Sequence, residues 1–366
     1  MKRRILSVLL VAVFAVCLLG GCKNATNSGD PATNSTESIT STTPTTTTTI
    51  TTVITTTAGE GENNPALYNR LTGEYDNAAG SHSRSVAIMV ANDKGYARPQ
   101  VGLSEADLFI EAETEGGYPR IMAVFADVSR VPAQVAPVRS ARTHFVKMAQ
   151  SLDAIYIHAG GSTGADALLS ELESAGKINR LNALGNNGNA FWRDQALWAE
   201  RDKEHSLSTG GTGLAERVAY RGFRTTSDNA PFTFGDKAEG GICNKITVRL
   251  SGAETFSFAY NPETYHYTKY LSTGNPHADT AGHAIEVTNV LVMYDTRYNE
   301  SAQHISFELQ SGNALLCSGG TVRDVQWTRT ENGLSFTENG GAATLLPGKT
   351  YICLVSNGYK DSTIIE

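Results

Sequence analysis

The longest apolar run in this sequence, Ile5 to Leu19, is too short to cross a bilayer, because a spanning helix needs roughly 20 apolar residues. Basic residues are also in deficit, 30 Lys and Arg against 37 Asp and Glu, and no stripe of them is interleaved with aromatics, so nucleic acid is excluded as a partner. Cysteine is scarce. Of five, Cys17 falls in the apolar leader and Cys22 just after it, leaving Cys243, Cys317 and Cys353, which permit one disulfide at most and no zinc framework. Cys317 and Cys353 lie in apolar runs and read as small buried hydrophobes. Neither a GxSxG elbow nor a Walker loop occurs, no Asp is placed to orient His158 or His205, and no cofactor signature is present.

What is there begins with a leader. Lys2, Arg3 and Arg4 precede the short apolar run, and Leu19-Gly20-Gly21-Cys22 follows it with the form of a lipobox. Residues 1–21 therefore read as a lipoprotein signal peptide, with Cys22 as the lipidated residue. Two acyl chains give on the order of 20 kcal/mol of gross burial, enough to tether the protein to the extracytoplasmic face of the cell membrane. Loss of the three leader cations takes the net charge from −7 to −10.

Residues 22–65 are almost entirely Thr, Ser, Asn, Gly and Glu, a stalk with too little apolar surface to form a core. About 300 residues remain, and their pattern changes midway. Over 66–235, buried apolar runs (Val86 to Val90, Leu108 to Ala112, Ile121 to Phe125, Ala154 to Ile157) alternate with helical periods at Phe145, Met148, Ala149 and Leu152 and at Leu168, Leu172 and Ala175. Over 236–366 the period becomes two, as in Ile246, Val248 and Leu250 or Ile305, Phe307 and Leu309. The expected fold is α+β, an N-terminal α/β layered domain followed by a mostly antiparallel β domain.

The densest polar constellation contains Arg120, then Arg139, Ser140 and Arg142, then His158, Gly160, Gly161 and Ser162. Ser140 is placed to cap the helix that carries Phe145, which puts Arg142 in its first turn against the helix dipole. Something negative must lie beside it, either a bound anion or one of Glu111, Glu113 and Glu115. The strand ending at His158, its glycine turn and a helix with Thr163 and Asp166 spaced as a capping box form a cradle of backbone N–H groups suited to phosphate or carboxylate. In the β region, His277, Asp279 and His283 read as a polar loop in preference to a metal site, with Asp279 as a turn residue. Trp192, Trp198 and Trp327 read as core or rim residues.

Four blocks, Asn69 to Gly73, Ala97 to Asp107, Pro137 to Arg142 and His158 to Ser162, together resemble the YerB-like family of bacterial lipoproteins in order and spacing. The resemblance runs from about Leu67 to the C-terminus and extends to Pro276-His277, Asp279 and Asn289-Val290. It implies two domains and a lipoprotein, and it supplies no reaction. Where the family reads Pro-His-Asn this chain has Glu204-His205-Ser206, which argues against carrying a role over to His205.

The expected function is a membrane-anchored binding module for an anionic envelope ligand or protein partner, with Arg120, Arg139, Arg142 and His158 as principal contacts. Glu111, Glu115, His277 and Asp279 stand second. An envelope hydrolase or transferase acting on phosphate-linked glycans is the rival, favoured by a histidine or carboxylate base in the same cleft. A structural assembly factor is the third reading.

Overall fold

The computed structural model describes residues 67–76, 80 and 82–366. The leader, Cys22 and the Thr/Ser-rich stalk lie outside the described residues.

The apolar runs become strands: β1 (Val86–Ala91), β2 (Leu108–Glu113) and β3 (Pro119–Phe125), every residue of which is buried. Then come α1 (Thr143–Ser151), β4 (Ile155–His158), α2 (Thr163–Ser174) and β5 (Asn179–Asn182). β1 runs antiparallel to β3, with Val86 opposite Phe125, and parallel to β4, with Val86 opposite Ile155. A continuous apolar run is what a strand covered on both faces requires.

Both faces are covered here. Met89, Ile110, Met122 and Val124 point to one side, where α1 and α2 pack through Phe145, Met148, Leu152, Leu169 and Leu172. Ile88, Val90, Phe109, Ile121 and Phe125 point to the other. There the helix Gly211–Tyr220 contributes Leu214 and Val218, and an antiparallel five-stranded sheet contributes Ile246, Val248, Phe256, Phe258 and Tyr267. Each such side chain fully withdrawn from water contributes roughly 1.5–3 kcal/mol before the entropy of ordering is subtracted.

The change of pattern near residue 235 does not divide the main sheet. Its order runs Gly341–Ala342, Gly333–Glu338, Thr321–Thr330, Ser311–Ser318, Asn289–Asp295, Thr350–Ser356, β2, β3, β1, β4, β5. Strand Thr350–Ser356 lies parallel to β2 on one side, with Leu108 opposite Thr350, and parallel to Asn289–Asp295 on the other. Strands from both halves of the chain thus share one mixed sheet within an α+β fold.

Local expectations fail in three places. Ser140 does not cap α1: its N-cap is Arg142, in extended conformation and with no side-chain cap bond. The cap of α2 is Ser162, whose hydroxyl accepts from the Ala165 N–H at 3.2 Å, so the helix begins one residue earlier than the Thr163/Asp166 capping box requires. Strand Ile305–Phe307 stops before Leu309, which sits at φ 52°. Trp327 is fully buried, while Trp192 and Trp198 are exposed. Cys243, Cys317 and Cys353 are buried free thiols, with the Cys243 and Cys317 Sγ atoms 3.4 Å apart.

Candidate functional site

The arginines of the constellation do converge, and their anion is a protein carboxylate. Glu115 follows β2 and faces the segment entering α1. Arg142 donates from Nε to Glu115 Oε2 at 2.7 Å and from Nη2 to Oε1, and its Nη1 reaches the Ala141 carbonyl at 2.7 Å. Arg120 adds a bond to the same Oε1 at 3.3 Å and donates to the Ser140 carbonyl at 2.7 Å. Burial alone would raise Glu115, but the Arg142 hydrogen bonds and the Arg120 charge outweigh it and hold the carboxyl at about 2. Burial, then repulsion by Arg142, draws Arg120 down to about 9. Arg120 and Arg142 are therefore committed to structure.

The glycine cradle is filled as well. The Gly160 N–H donates to Asn182 Oδ1 at 2.9 Å, and the Ser162 N–H donates to the Ala141 carbonyl at 3.2 Å. Gly160 has φ 69°, a left-handed conformation that glycine adopts without steric cost. A Cβ on Gly161 would come within 2.5 Å of Asp166 Oδ1. His158 turns its Nδ1 back to the Gly160 carbonyl at 2.8 Å and is completely buried, and burial lowers it to about 4. It is a neutral packing group and not an anion contact.

The charge that complements the helix N-termini comes from Glu300, on the turn between strands Arg297–Asn299 and Ile305–Phe307. Its carboxylate accepts from the Thr143 hydroxyl at the start of α1 and from the Ser162 hydroxyl, at 3.3 Å, at the start of α2. A carboxylate there is stabilised by both dipoles.

What remains open is a cleft of about 290 Å³ on the outer side of the arginine cluster, lined by Asp93, Lys94, Tyr96, Tyr118, Arg139 and His205 among others. Tyr96 and Tyr118 are more than half exposed. Among the described residues Arg139 pairs with Glu204 alone, Nη1 to Oε2 at 2.5 Å and open to water. His205, expected to lack an orienting Asp, has two: Nδ1 lies 2.8 Å from Asp202 and Nε2 lies 3.1 Å from Asp93. Its ring stacks on Tyr96 at 5.8 Å. Burial alone would lower His205, yet the hydrogen bonds to Asp93 and Asp202 outweigh it and the net shift is upward. Burial acts to raise Asp93, and the His205 bond overrides it, leaving the carboxyl below its ordinary value.

The second-rank candidates separate. Glu111 is completely buried and meets Lys269, Asn92 and Tyr351. His277 is buried with Nε2 3.0 Å from Gln100 Oε1. Asp279 receives the Ala281 and His283 N–H groups and the Ser104 hydroxyl, the pattern of a turn residue. A wider groove, about 720 Å³, lies elsewhere along Arg84, Asp153, Lys177 and Arg224. Its Arg84 and Arg224 are both taken up by Asp153, and Lys177 pairs with Glu331.

Sequence reasoning found Arg120, Arg139, Arg142 and Glu115 as neighbours and missed Asp93, Tyr96, Tyr118, Asp202 and Glu300. Tyr118 follows Gly116-Gly117, both at positive φ, which marks a turn able to present a side chain. No local signal marked Glu300.

Residues 71–224 match the family described as "Protein of unknown function (DUF3048) N-terminal domain", and residues 246–352 match its C-terminal domain. The chain is 29% identical over 300 residues to "Putative lipoprotein YerB" of Bacillus subtilis (strain 168), covering 78% of this chain and 85% of the relative. The crystal structure of the Bacillus subtilis YerB protein superposes with a TM-score of 0.71 at 26% identity, over 82% of this chain and 99% of that one. No helix among the described residues is long and apolar enough to cross a membrane. The shared sequence, the shared fold and the pair of matched domains make this chain a homologue of YerB and a member of its two-domain family of unknown function.

Proposed function

We propose that this chain is an extracytoplasmic lipoprotein, anchored through acylated Cys22, whose cleft binds an anionic, ring-bearing envelope ligand without turning it over. The relative's name supports the lipoprotein reading, and the Leu19-to-Cys22 pattern supports the anchor. The observation that carries the binding reading is the cleft's rim. Among the described residues Arg139 is held by exposed Glu204 alone, a pairing worth little in water, so a ligand anion can replace it. Tyr96 and Tyr118 offer two exposed aromatic faces beside it, suited to the apolar face of a sugar ring.

The same cleft is poorly equipped for acid–base chemistry. A base needs a free lone pair and a titration near the working pH. His205 has both nitrogens engaged by carboxylates and favours the imidazolium, while Asp93 and Glu115 both titrate below the ordinary carboxylate range. This supports holding over hydrolysis.

The test is calorimetry with N-acetylglucosamine 1-phosphate, alongside inorganic phosphate and N-acetylglucosamine separately. The joined compound is expected to bind at least about tenfold tighter than either part, a difference of roughly 1.4 kcal/mol. Arg139→Gln and Tyr118→Ala are each expected to remove most of that gain at unchanged melting temperature. Absence of binding by all three probes overturns the reading, and release of phosphate from the joined compound moves the case to an enzyme.

A further inference from the structure

Beneath the main sheet's second face lies a polar cluster that the proposed binding function does not use. Lys269, on strand His266–Leu271, and Glu111, on β2, are both completely buried, with Nζ 2.5 Å from Oε2. The Tyr351 hydroxyl lies 2.6 Å from that Nζ and 2.7 Å from the same carboxylate oxygen. The other oxygen, Oε1, accepts from Asn92 Nδ2 at 2.5 Å. The carbonyl oxygen of Asn92 in turn accepts from Arg98 Nε at 2.8 Å and Gln100 Nε2 at 2.9 Å. The rings of Phe256 and Tyr351 lie 4.1 and 4.6 Å from Nζ. An amine and a carboxamide are thus held on the two oxygens of one carboxylate, away from water.

From this arrangement we infer that the folded chain joins Lys269 to Asn92 through an intramolecular amide bond, with Glu111 carrying the protons and Arg98 and Gln100 stabilising the oxyanion. Glu111 holds the amine on one oxygen and the carboxamide on the other, and the carbonyl of that carboxamide already carries two donors. Burial, partly offset by Glu111, lowers the affinity of Lys269 for its proton, so the ammonium passes a proton to Glu111 and becomes a nucleophile. Nζ attacks Asn92 Cγ, and the negative charge that gathers on Oδ1 falls between the two N–H donors already aimed at it. Glu111 returns a proton to Nδ2, the Cγ–Nδ2 bond breaks and ammonia leaves. The new amide nitrogen gives up its surplus proton to Glu111, which ends as the neutral acid. One N–C bond forms, one breaks, and no oxidant or reductant is involved. A buried ion pair, costly to desolvate, is replaced by neutral groups. Holding both reactants on one carboxylate substitutes for a separate catalyst.

The experiment uses the full chain extracted from membranes and digested with trypsin. The expected product is a branched peptide joining residues 85–94 to residues 250–297, uncut after Lys269 and lighter than its two linear parts by one ammonia. Lys269→Arg removes the nucleophile while keeping the charge, and is expected to release residues 85–94 as a linear peptide. A Glu111→Gln chain that folds, judged by circular dichroism, is expected to do the same. Should that variant not fold, the wild-type digest still decides. Linear 85–94 with its carboxamide intact, together with cleavage after Lys269 in folded wild type, overturns the inference.

Discussion

Glu115 accepts bonds from both Arg120 and Arg142, and that concentration fixes how each arginine responds to replacement. Arg142 is 5% exposed and Glu115 only partly buried, so Arg142→Ala strands a carboxylate that keeps Arg120 and some water. The expected cost is about 2 kcal/mol, between the values for exposed and fully buried pairs. Arg139→Ala at the open rim is expected to stay within roughly 0.5 kcal/mol. Urea denaturation of both variants checks the contrast, and equal costs would contradict it. The pH dependence follows from the same groups. Glu115 titrates at about 2 in the fold, so its contribution is present above the ordinary value of 4.5 and is lost as pH falls from there toward 2. His205 is raised, so its contribution is full below 6.5 and is lost as pH rises through its higher folded value. Urea midpoints measured against pH should therefore show a shallower acid limb in Glu115→Gln and a smaller loss above 6.5 in His205→Gln. The arginine–glutamate pairing was legible because a cation at a helix N-terminus demands an anion, and Glu115 stood in the neighbouring segment. Of the partners of His205, Asp202 stands three residues before it and was overlooked, whereas Asp93 is brought to it only by the fold.

At the scale of elements, the starts of α1 and α2 share one counter-charge, and substitutions there should separate cap from charge. Ser162→Ala removes the Ala165 cap bond and the hydroxyl that Glu300 accepts from, for an expected loss of about 1 kcal/mol. Glu300→Gln keeps an acceptor and removes only the charge, for an expected loss of roughly 0.3–1 kcal/mol that shrinks in high salt. A salt-independent loss in Glu300→Gln would show that its carboxylate does not act on the dipoles. Strands such as β1 and β3 were legible from the apolar runs Val86 to Val90 and Ile121 to Phe125, since burial on both faces leaves no polar alternation. Helix starts were misplaced by a residue or more because Ser140, Ser162 and Thr163 all have capping chemistry, and only the backbone path selects among them. Glu300 reaches α1 and α2 from a distant hairpin, and local periodicity carries no record of that return.

At the scale of the molecule, the change of pattern near 235 was legible, whereas the pairing of Thr350–Ser356 with β2 was not, because register between distant segments is absent from local pattern. A fragment of residues 66–235 would leave β2 with an unpaired edge and would expose Phe109 and Phe125, which lie in the cluster shared with the five-stranded sheet. That fragment is expected to aggregate or stay unfolded, judged by circular dichroism and size exclusion. A monomeric, cooperatively melting fragment would show that the N-terminal region folds alone. The position of Thr350–Ser356 also sets an order of events. Synthesis delivers the chain from its N-terminus, so β1, β2 and β3 emerge long before the strand that must lie against them. Until it arrives the sheet has a gap at its middle, and nothing local can close it. A polypeptide built this way stays pliable through most of its synthesis, and locks only once Thr350–Ser356 is free to insert between its two neighbours.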